Sequence, residues 1–222
     1  TVLTQKADIG LAFDGDADRL ALVDSNGEII RADFILSLLF KYSRTQNPKV
    51  VYDHRFSRSA KELFGENGLP SRTGHSLIKN VMRKNDADIG GELSGHFFFK
   101  EMKCADSAVL AMLKVLKILS DTDKSINELI KPWQKYYFSG EINIEIGSKD
   151  LISKIFKNLE DKYREGKLDR LDGLTFEFTN WWFNLRPSNT ESLVRLVVEA
   201  ETKNLLDEKV YDLKSLIESS SL

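Results

Sequence analysis

The sequence predicts an α/β fold in two parts, a mixed strand-and-helix unit followed by an antiparallel α+β unit. Three observations carry this. Up to about residue 137, short apolar runs alternate with amphipathic helical stretches, the pattern of a mainly parallel sheet. Beyond that, "GEINIEI" alternates strictly, as a half-buried strand does. Then "LTFEFT", "WWFNLR" and "LVRLVVEA" follow one another closely, with helical segments on either side.

"DIGLAF" and "RLALVD" read as strands, and Asn-Gly in "DSNGE" marks a turn after the second. A helical pattern runs from Arg31 to about Ser43, and "KVVYD" reads as a buried strand. "SRSAKELF" starts a helix, with Ser59 and Glu62 spaced as a capping box. A short strand near "PSRT" leads into a helix over "GHSLIKNVMRK". "DADIGGELSGHFFFK" holds too many glycines for a helix and reads as strand, loop, strand. "DSAVLAMLKVLKILS" has helical spacing, and Ser125 with Glu128 caps a shorter helix. In the second part "DLISKIFKNLEDKYRE" is an amphipathic helix, and a last helix runs from about Lys203 to Glu218. Trp181 and Trp182 fall in a strand, where neighbours face opposite sides, so at least one belongs to a core rather than a sugar platform.

Of the 222 residues, 41% are hydrophobic, enough for real cores, and the net charge of -2 argues against a bulk electrostatic grip on nucleic acid. Cys104 is the one cysteine, which rules out an internal disulfide framework and fits a reducing cytoplasm. It has no sequence neighbour that would activate it. The apolar stretches are too short or too interrupted to span a membrane. No nucleic-acid or membrane partner is therefore expected.

The chemistry concentrates in three loops. "AFDGDADR" places Asp14, Asp16 and Asp18 at alternate positions between two strands. An EF-hand would need glycine and glutamate where Arg19 and Ser25 stand. A few hard oxygen donors around small residues suit Mg2+, and Arg19 offers a fork for a phosphate. A solvated acidic turn is an equal reading of this run alone. "GELSGH" sets Glu92, Ser94 and His96 between glycines, where a carboxylate and a hydroxyl meet the needs of sugar hydroxyls; alone it reads as a polar turn. "RPSNTES" offers Arg186, Ser188, Asn189 and Thr190 as phosphate donors, or a polar hairpin loop. Asp86 and Asp88 read as solvent-facing.

Taken together, "DGDADR", "TGHSLIK", "GELSGH" and "RPSNTE" resemble, in order and approximate spacing, the α-D-phosphohexomutase family, most closely its bacterial phosphomannomutase/phosphoglucomutase group. The likeness runs through essentially the whole chain. It implies transfer of a phosphoryl group between the 1- and 6-positions of a hexose phosphate, through a phosphoserine and a hexose 1,6-bisphosphate. It implies Mg2+ held by Asp14, Asp16 and Asp18. Arg19, His75 and Lys79 would serve the reacting centre. Arg55, Glu92, Ser94 and His96 would face the sugar phosphate, and Arg186, Ser188, Asn189 and Thr190 would grip the phosphate that is not reacting. The fold implied is the tail of a second domain over residues 1–30, an α/β third domain over 31–137, and a TATA-box-binding-protein-like fourth domain over 138–222.

The departures from that pattern are specific. No loop resembling "TASHNP", which carries the family's phosphoserine, occurs in these residues. The chain opens on Thr1, just before the metal loop. The expectation is a fragment that binds metal weakly, exposes apolar strand edges such as "IGLAF", and needs an N-terminal half as partner. Ser192 stands where relatives often have proline. A non-catalytic sugar-phosphate binding module and a phosphoglucosamine mutase are the alternatives; glycine usually replaces Asn189 in the latter, and its sugar loop usually differs at Leu93.

Overall fold

A computed structural model of the chain describes residues 1–188 and 191–220. It divides into two compact units, 1–134 and 135–222.

The first unit opens with one helical turn, α1 (Val2–Gln5), and a three-stranded antiparallel sheet of β1 (Ile9–Phe13), β2 (Leu20–Asp24) and β3 (Ile29–Ile30). The six residues Asp14–Arg19 join β1 to β2. β1 is an edge, and Leu11 and Phe13 on it are 38% and 39% exposed. Next comes α2 (Ala32–Lys41), whose residues from Ala32 to Leu39 are all buried. A helix apolar nearly all round must sit inside a core, and its one buried carboxylate, Asp33, is satisfied. Asp33 accepts from the Arg31 guanidinium (3.1 Å) and from the Ser57 N–H (2.9 Å).

The main sheet of this unit contains β4 (Val50–Asp53), β5 (Gly68–Ser71), β6 (Ile89–Gly91), β7 (Phe97–Phe99) and β8 (Ala105–Asp106), in the spatial order β5-β4-β6-β7-β8. β4 runs parallel to β5 and β6. The crossovers are α3 (Arg58–Phe64) and α4 (His75–Asn85). The sheet is mixed rather than mainly parallel, because β6–β7 and β7–β8 are antiparallel. The connection 92–96 is too short for a crossover, so β7 can only turn back on β6. Helices α5 (Ala108–Ser120) and α6 (Ile126–Ile130) complete the unit. On α5, Ala108, Ala111, Val115 and Ile118 are buried at helical spacing. The core joins these residues to α2, to Phe97 and Phe99, and to Leu20, Leu22 and Ile30 from the first thirty residues.

Two caps differ in outcome. Ser125 and Glu128 form the expected capping box on α6. On α3 the cap is Ser57, not Ser59: the Ser57 hydroxyl accepts from the Ser59 N–H. The Ser59 hydroxyl instead donates to the Trp133 carbonyl at 2.7 Å. A buried serine finds a tertiary acceptor here, which local spacing does not reveal.

The second unit is one antiparallel sheet of β9 (Tyr137–Glu145), β10 (Lys167–Asp169), β11 (Leu174–Glu177), β12 (Trp181–Pro187) and β13 (Leu193–Ala200), in the order β10-β11-β12-β13-β9. Two helices, α7 (Ile152–Lys162) and α8 (Lys203–Ser220), supply Ile155, Leu159, Leu206, Leu213 and Ile217 to its core. Alternate residues of β13 (Val194, Leu196, Val198 and Ala200) belong to the same core. Each such valine, leucine or isoleucine side chain contributes about 1.5–3 kcal/mol on burial. Both tryptophans are buried. Trp181 stacks on Phe178 at 4.4 Å, while Trp182 donates its indole N–H to Glu199 at 2.8 Å. Among the described residues no helix is long and apolar enough to cross a membrane.

Candidate functional site

In the first unit the chemistry gathers at one end of the main sheet, where the parallel strands β4 and β6 finish. Asp53 closes β4, and loop 92–96 follows β6. Open α/β sheets bind ligands at this end.

The Asp14–Arg19 loop turns tightly because the Ala17 N–H donates to the Asp14 carbonyl (3.2 Å) and Ala17 takes φ +61°. Because Ala17 carries a Cβ, this left-handed backbone costs about 1–2 kcal/mol. The Asp14 carboxylate accepts from the Arg19 N–H at 3.2 Å and pairs with the Arg19 guanidinium. Desolvation pushes the Asp14 carboxyl up, but the Arg19 hydrogen bonds and charge outweigh it and hold it below the usual range. Asp14, Asp16 and Asp18 each present one oxygen, all within 4.8 Å of one another. Three hard donors at that separation fit Mg2+, which keeps water for its remaining positions.

A second set of side chains adjoins them. The Glu92 carboxylate is 3% exposed and fully engaged. It accepts from the Gly74 N–H (3.0 Å) and the Ser94 hydroxyl (3.0 Å), and lies 3.4 Å from His96 Nδ1. Desolvation raises the Glu92 carboxyl, yet the His96 and Ser94 hydrogen bonds bring it below the usual range. Glu92 therefore ties the start of α4 to loop 92–96, where Ser94 is exposed. His96 Nε2 lies 3.3 Å from Asp18, and the His75 and His96 rings are 4.1 Å apart. Lys79 donates to Asp106 Oδ1 at 2.8 Å, and His75 Nδ1 lies 3.4 Å from Asp106 Oδ2.

Gly95 fixes this loop against the metal loop. Its carbonyl accepts from the Leu20 N–H at 3.0 Å, next to Arg19. Its φ is +97°, and a Cβ there would sit 2.9 Å from the Leu20 carbonyl oxygen. Gly95→Ala is expected to cost about 1–3 kcal/mol through strain and overpacking. Differential scanning calorimetry checks it, and an unchanged melting temperature would contradict it.

Arg55 is buried. Its side chain is 4% exposed, and Asp53 takes its Nε at 2.9 Å together with a second guanidinium nitrogen. A buried guanidinium beside a buried carboxylate forms the bidentate pair, which fixes Arg55 at the end of β4.

In the second unit Arg186 and Arg195 are register partners on β12 and β13 and share Glu141, at 3.1 and 3.2 Å. Nε of each arginine is buried without a hydrogen-bond partner among the described residues. Ser188 is 5% exposed; its N–H donates to the Leu193 carbonyl (2.9 Å) and its hydroxyl accepts from the Glu191 N–H (3.2 Å). Asn189 and Thr190 lie outside the described residues.

The structure thus brings Asp14, Asp16, Asp18, Arg19, His75, Lys79, Glu92, Ser94 and His96 together in one unit. Sequence reasoning missed Asp53, Asp106 and Glu141. Only Asp53 carried a signal, its place at the end of a strand. Asp86 is exposed and pairs with Lys100, and Asp88 accepts from the Lys49 N–H, as polar surface residues do. Cys104 is buried.

Comparison with known proteins agrees with this picture. The chain is 40% identical over 221 residues to a phosphomannomutase of Methanocaldococcus jannaschii, covering 97% of this chain and 49% of that protein. Its fold matches the crystal structure of a phosphoglucomutase/phosphomannomutase family protein from Burkholderia thailandensis with a TM-score of 0.84 and 29% identity, covering 99% of this chain and 48% of the other. An Aspergillus fumigatus N-acetylphosphoglucosamine mutase, solved with GlcNAc-6P and magnesium, shares the fold at a TM-score of 0.68 and 15% identity, over 96% and 49% of the two chains. The chain spans about half the length of the curated relatives it matches. Residues 31–136 match the α/β/α domain III of phosphoglucomutase/phosphomannomutase, and residues 141–212 match its C-terminal domain, so the chain belongs to the phosphoglucomutase/phosphomannomutase family, the α-D-phosphohexomutases.

Proposed function

We propose that this chain supplies the metal-, sugar- and phosphate-binding part of a phosphomannomutase/phosphoglucomutase. The enzyme would move a phosphoryl group between the 1- and 6-positions of a hexose phosphate, through a phosphoserine and a hexose 1,6-bisphosphate. The observation that supports this best is the carboxylate triad, with its oxygens within 4.8 Å, set against His96 at 3.3 Å from Asp18.

Asp14, Asp16 and Asp18 would hold Mg2+, which when bound draws off the charge of a transferring phosphoryl group. Arg19, with half of its side chain exposed, presents its fork to the phosphate. His75, whose Nδ1 Asp106 holds, takes the proton from the attacking sugar hydroxyl at Nε2. Lys79, held by the same carboxylate, sets a fixed positive charge beside the reacting centre. Ser94 and His96 face the sugar, with Glu92 setting their positions. Arg186 and Ser188, with Asn189 and Thr190, grip the distal phosphate; the spare Nε of Arg186 supports this role.

Residues 1–222 carry no "TASHNP"-like serine loop, and an N-terminal half bearing that loop is the partner proposed. A coupled assay with mannose 1-phosphate and glucose 1-phosphate, Mg2+ and a hexose bisphosphate is expected to show no turnover by these residues alone. Adding the serine-bearing half of a relative is expected to restore it. Asp16→Asn is expected to lower the restored kcat by roughly a hundredfold or more. Turnover without the serine half, or a restored enzyme indifferent to Asp16→Asn, would overturn the proposal.

A further inference from the structure

We propose a second cation site in the first unit, built by Asp18, His75, His96 and Asp106 and suited to a borderline divalent ion of the zinc class. It does not rest on phosphoryl transfer. One ligand atom from each of the four residues lies within 4.8 Å of all the others. Two edges of that set are already at ligand spacing: His96 Nε2 to Asp18 Oδ1 is 3.3 Å, and His75 Nδ1 to Asp106 Oδ2 is 3.4 Å. Metal–ligand bonds of about 2.0–2.1 Å in a tetrahedron place neighbouring ligands about 3.3 Å apart. Imidazole nitrogen suits zinc, cobalt and nickel, whereas Mg2+ takes oxygen. The two carboxylates balance the charge of a dication.

Outer contacts already select the donor atoms. His96 Nδ1 is occupied by the Ser94 hydroxyl at 2.9 Å with Glu92 at 3.4 Å, which leaves Nε2 turned to Asp18. Asp106 Oδ1 accepts from Lys79, which leaves Oδ2 turned to His75. Such second contacts are what fix the tautomer and orientation of metal ligands. Phe98 backs the His75 ring edge-on at 5.4 Å. Asp18 belongs to this set and to the aspartate triad, so the two sites share a carboxylate and occupancy of one bears on the other.

Cobalt(II) absorption tests this on the intact chain, because tetrahedral Co2+ gives visible bands far stronger than octahedral Co2+. One equivalent is expected to produce them and Zn2+ to bleach them. His75→Asn and His96→Asn are each expected to weaken Co2+ binding about 10–100-fold, with Asp16→Asn within about twofold of wild type. In the unmodified protein, Zn2+ is expected to shift the 15N resonances of His75 Nδ1 and His96 Nε2, a readout independent of how the variants fold. Absence of strong bands, bands lost in Asp16→Asn but kept in the histidine variants, or unmoved histidine resonances would overturn the site. None of these readouts involves turnover, so they leave the mutase assignment to its own assay.

Discussion

Asp53→Ala is expected to destabilise the first unit by about 3–5 kcal/mol, the usual cost of removing one partner from a buried ion pair. The carboxylate is fully buried and compensates a guanidinium that is 4% exposed. It also accepts from the Leu93 N–H (3.3 Å) and the Thr73 hydroxyl (3.3 Å), so it ties loop 92–96 and the segment leading into α4 to the end of β4. The double replacement Asp53→Ala with Arg55→Met is expected to recover much of the loss, since it removes the stranded charge as well. Urea unfolding followed by circular dichroism measures both; a loss below about 1 kcal/mol in the single variant would show that Arg55 reaches other compensation. The same pair gives a pH dependence. Burial pushes the Asp53 carboxyl up, but the Arg55 charge and hydrogen bonds prevail and hold it below its ordinary value. Its contribution is therefore complete above the unfolded aspartate range near about 3.9 and is lost as pH falls through the lowered folded value. Stability of wild type is expected to fall with acid more steeply than that of the double variant.

Gly173→Ala is expected to cost the second unit about 2–5 kcal/mol. Gly173 has φ +77°, and a Cβ there would lie 2.3 Å from the Leu185 carbonyl oxygen and 2.8 Å from the Arg186 Cα. Both obstacles are backbone, so no side-chain rotation relieves them, and the left-handed strain adds to the overlap. The two costs act at the point where β11 meets the strand carrying Arg186. Amide shifts along β12 from Phe183 to Arg186 are the expected NMR signature. A variant of wild-type stability with unmoved β12 amides would mean that the turn opens freely.

Much of the fold was legible from periodicity. The helix over α4 and the strands β12 and β13 follow directly from where apolar residues recur, because burial of one face dictates that spacing. The capping box at Ser125 was equally local. At α3 the same kind of reasoning chose Ser59 over Ser57, because a local pattern does not record that Trp133, far along the chain, offers the Ser59 hydroxyl a carbonyl. Sheet direction failed for a related reason. Alternating strands and helices point to a parallel sheet, yet the short 92–96 connection reverses β7, and β8 is too brief to register as a strand.

For the site, the motifs named the residue types, and their order along the chain carried the family. Those are properties of sequence alone, because the loops keep their chemistry within a few consecutive residues. What tertiary structure decided was who faces whom. It buried Arg55 against Asp53 and used Glu92 to join two loops. It also set Asp106, which no motif marks, between His75 and Lys79. Each of these outcomes depends on which polar groups lose water and must find partners across strands, and that pairing is made in space, between residues the sequence keeps apart.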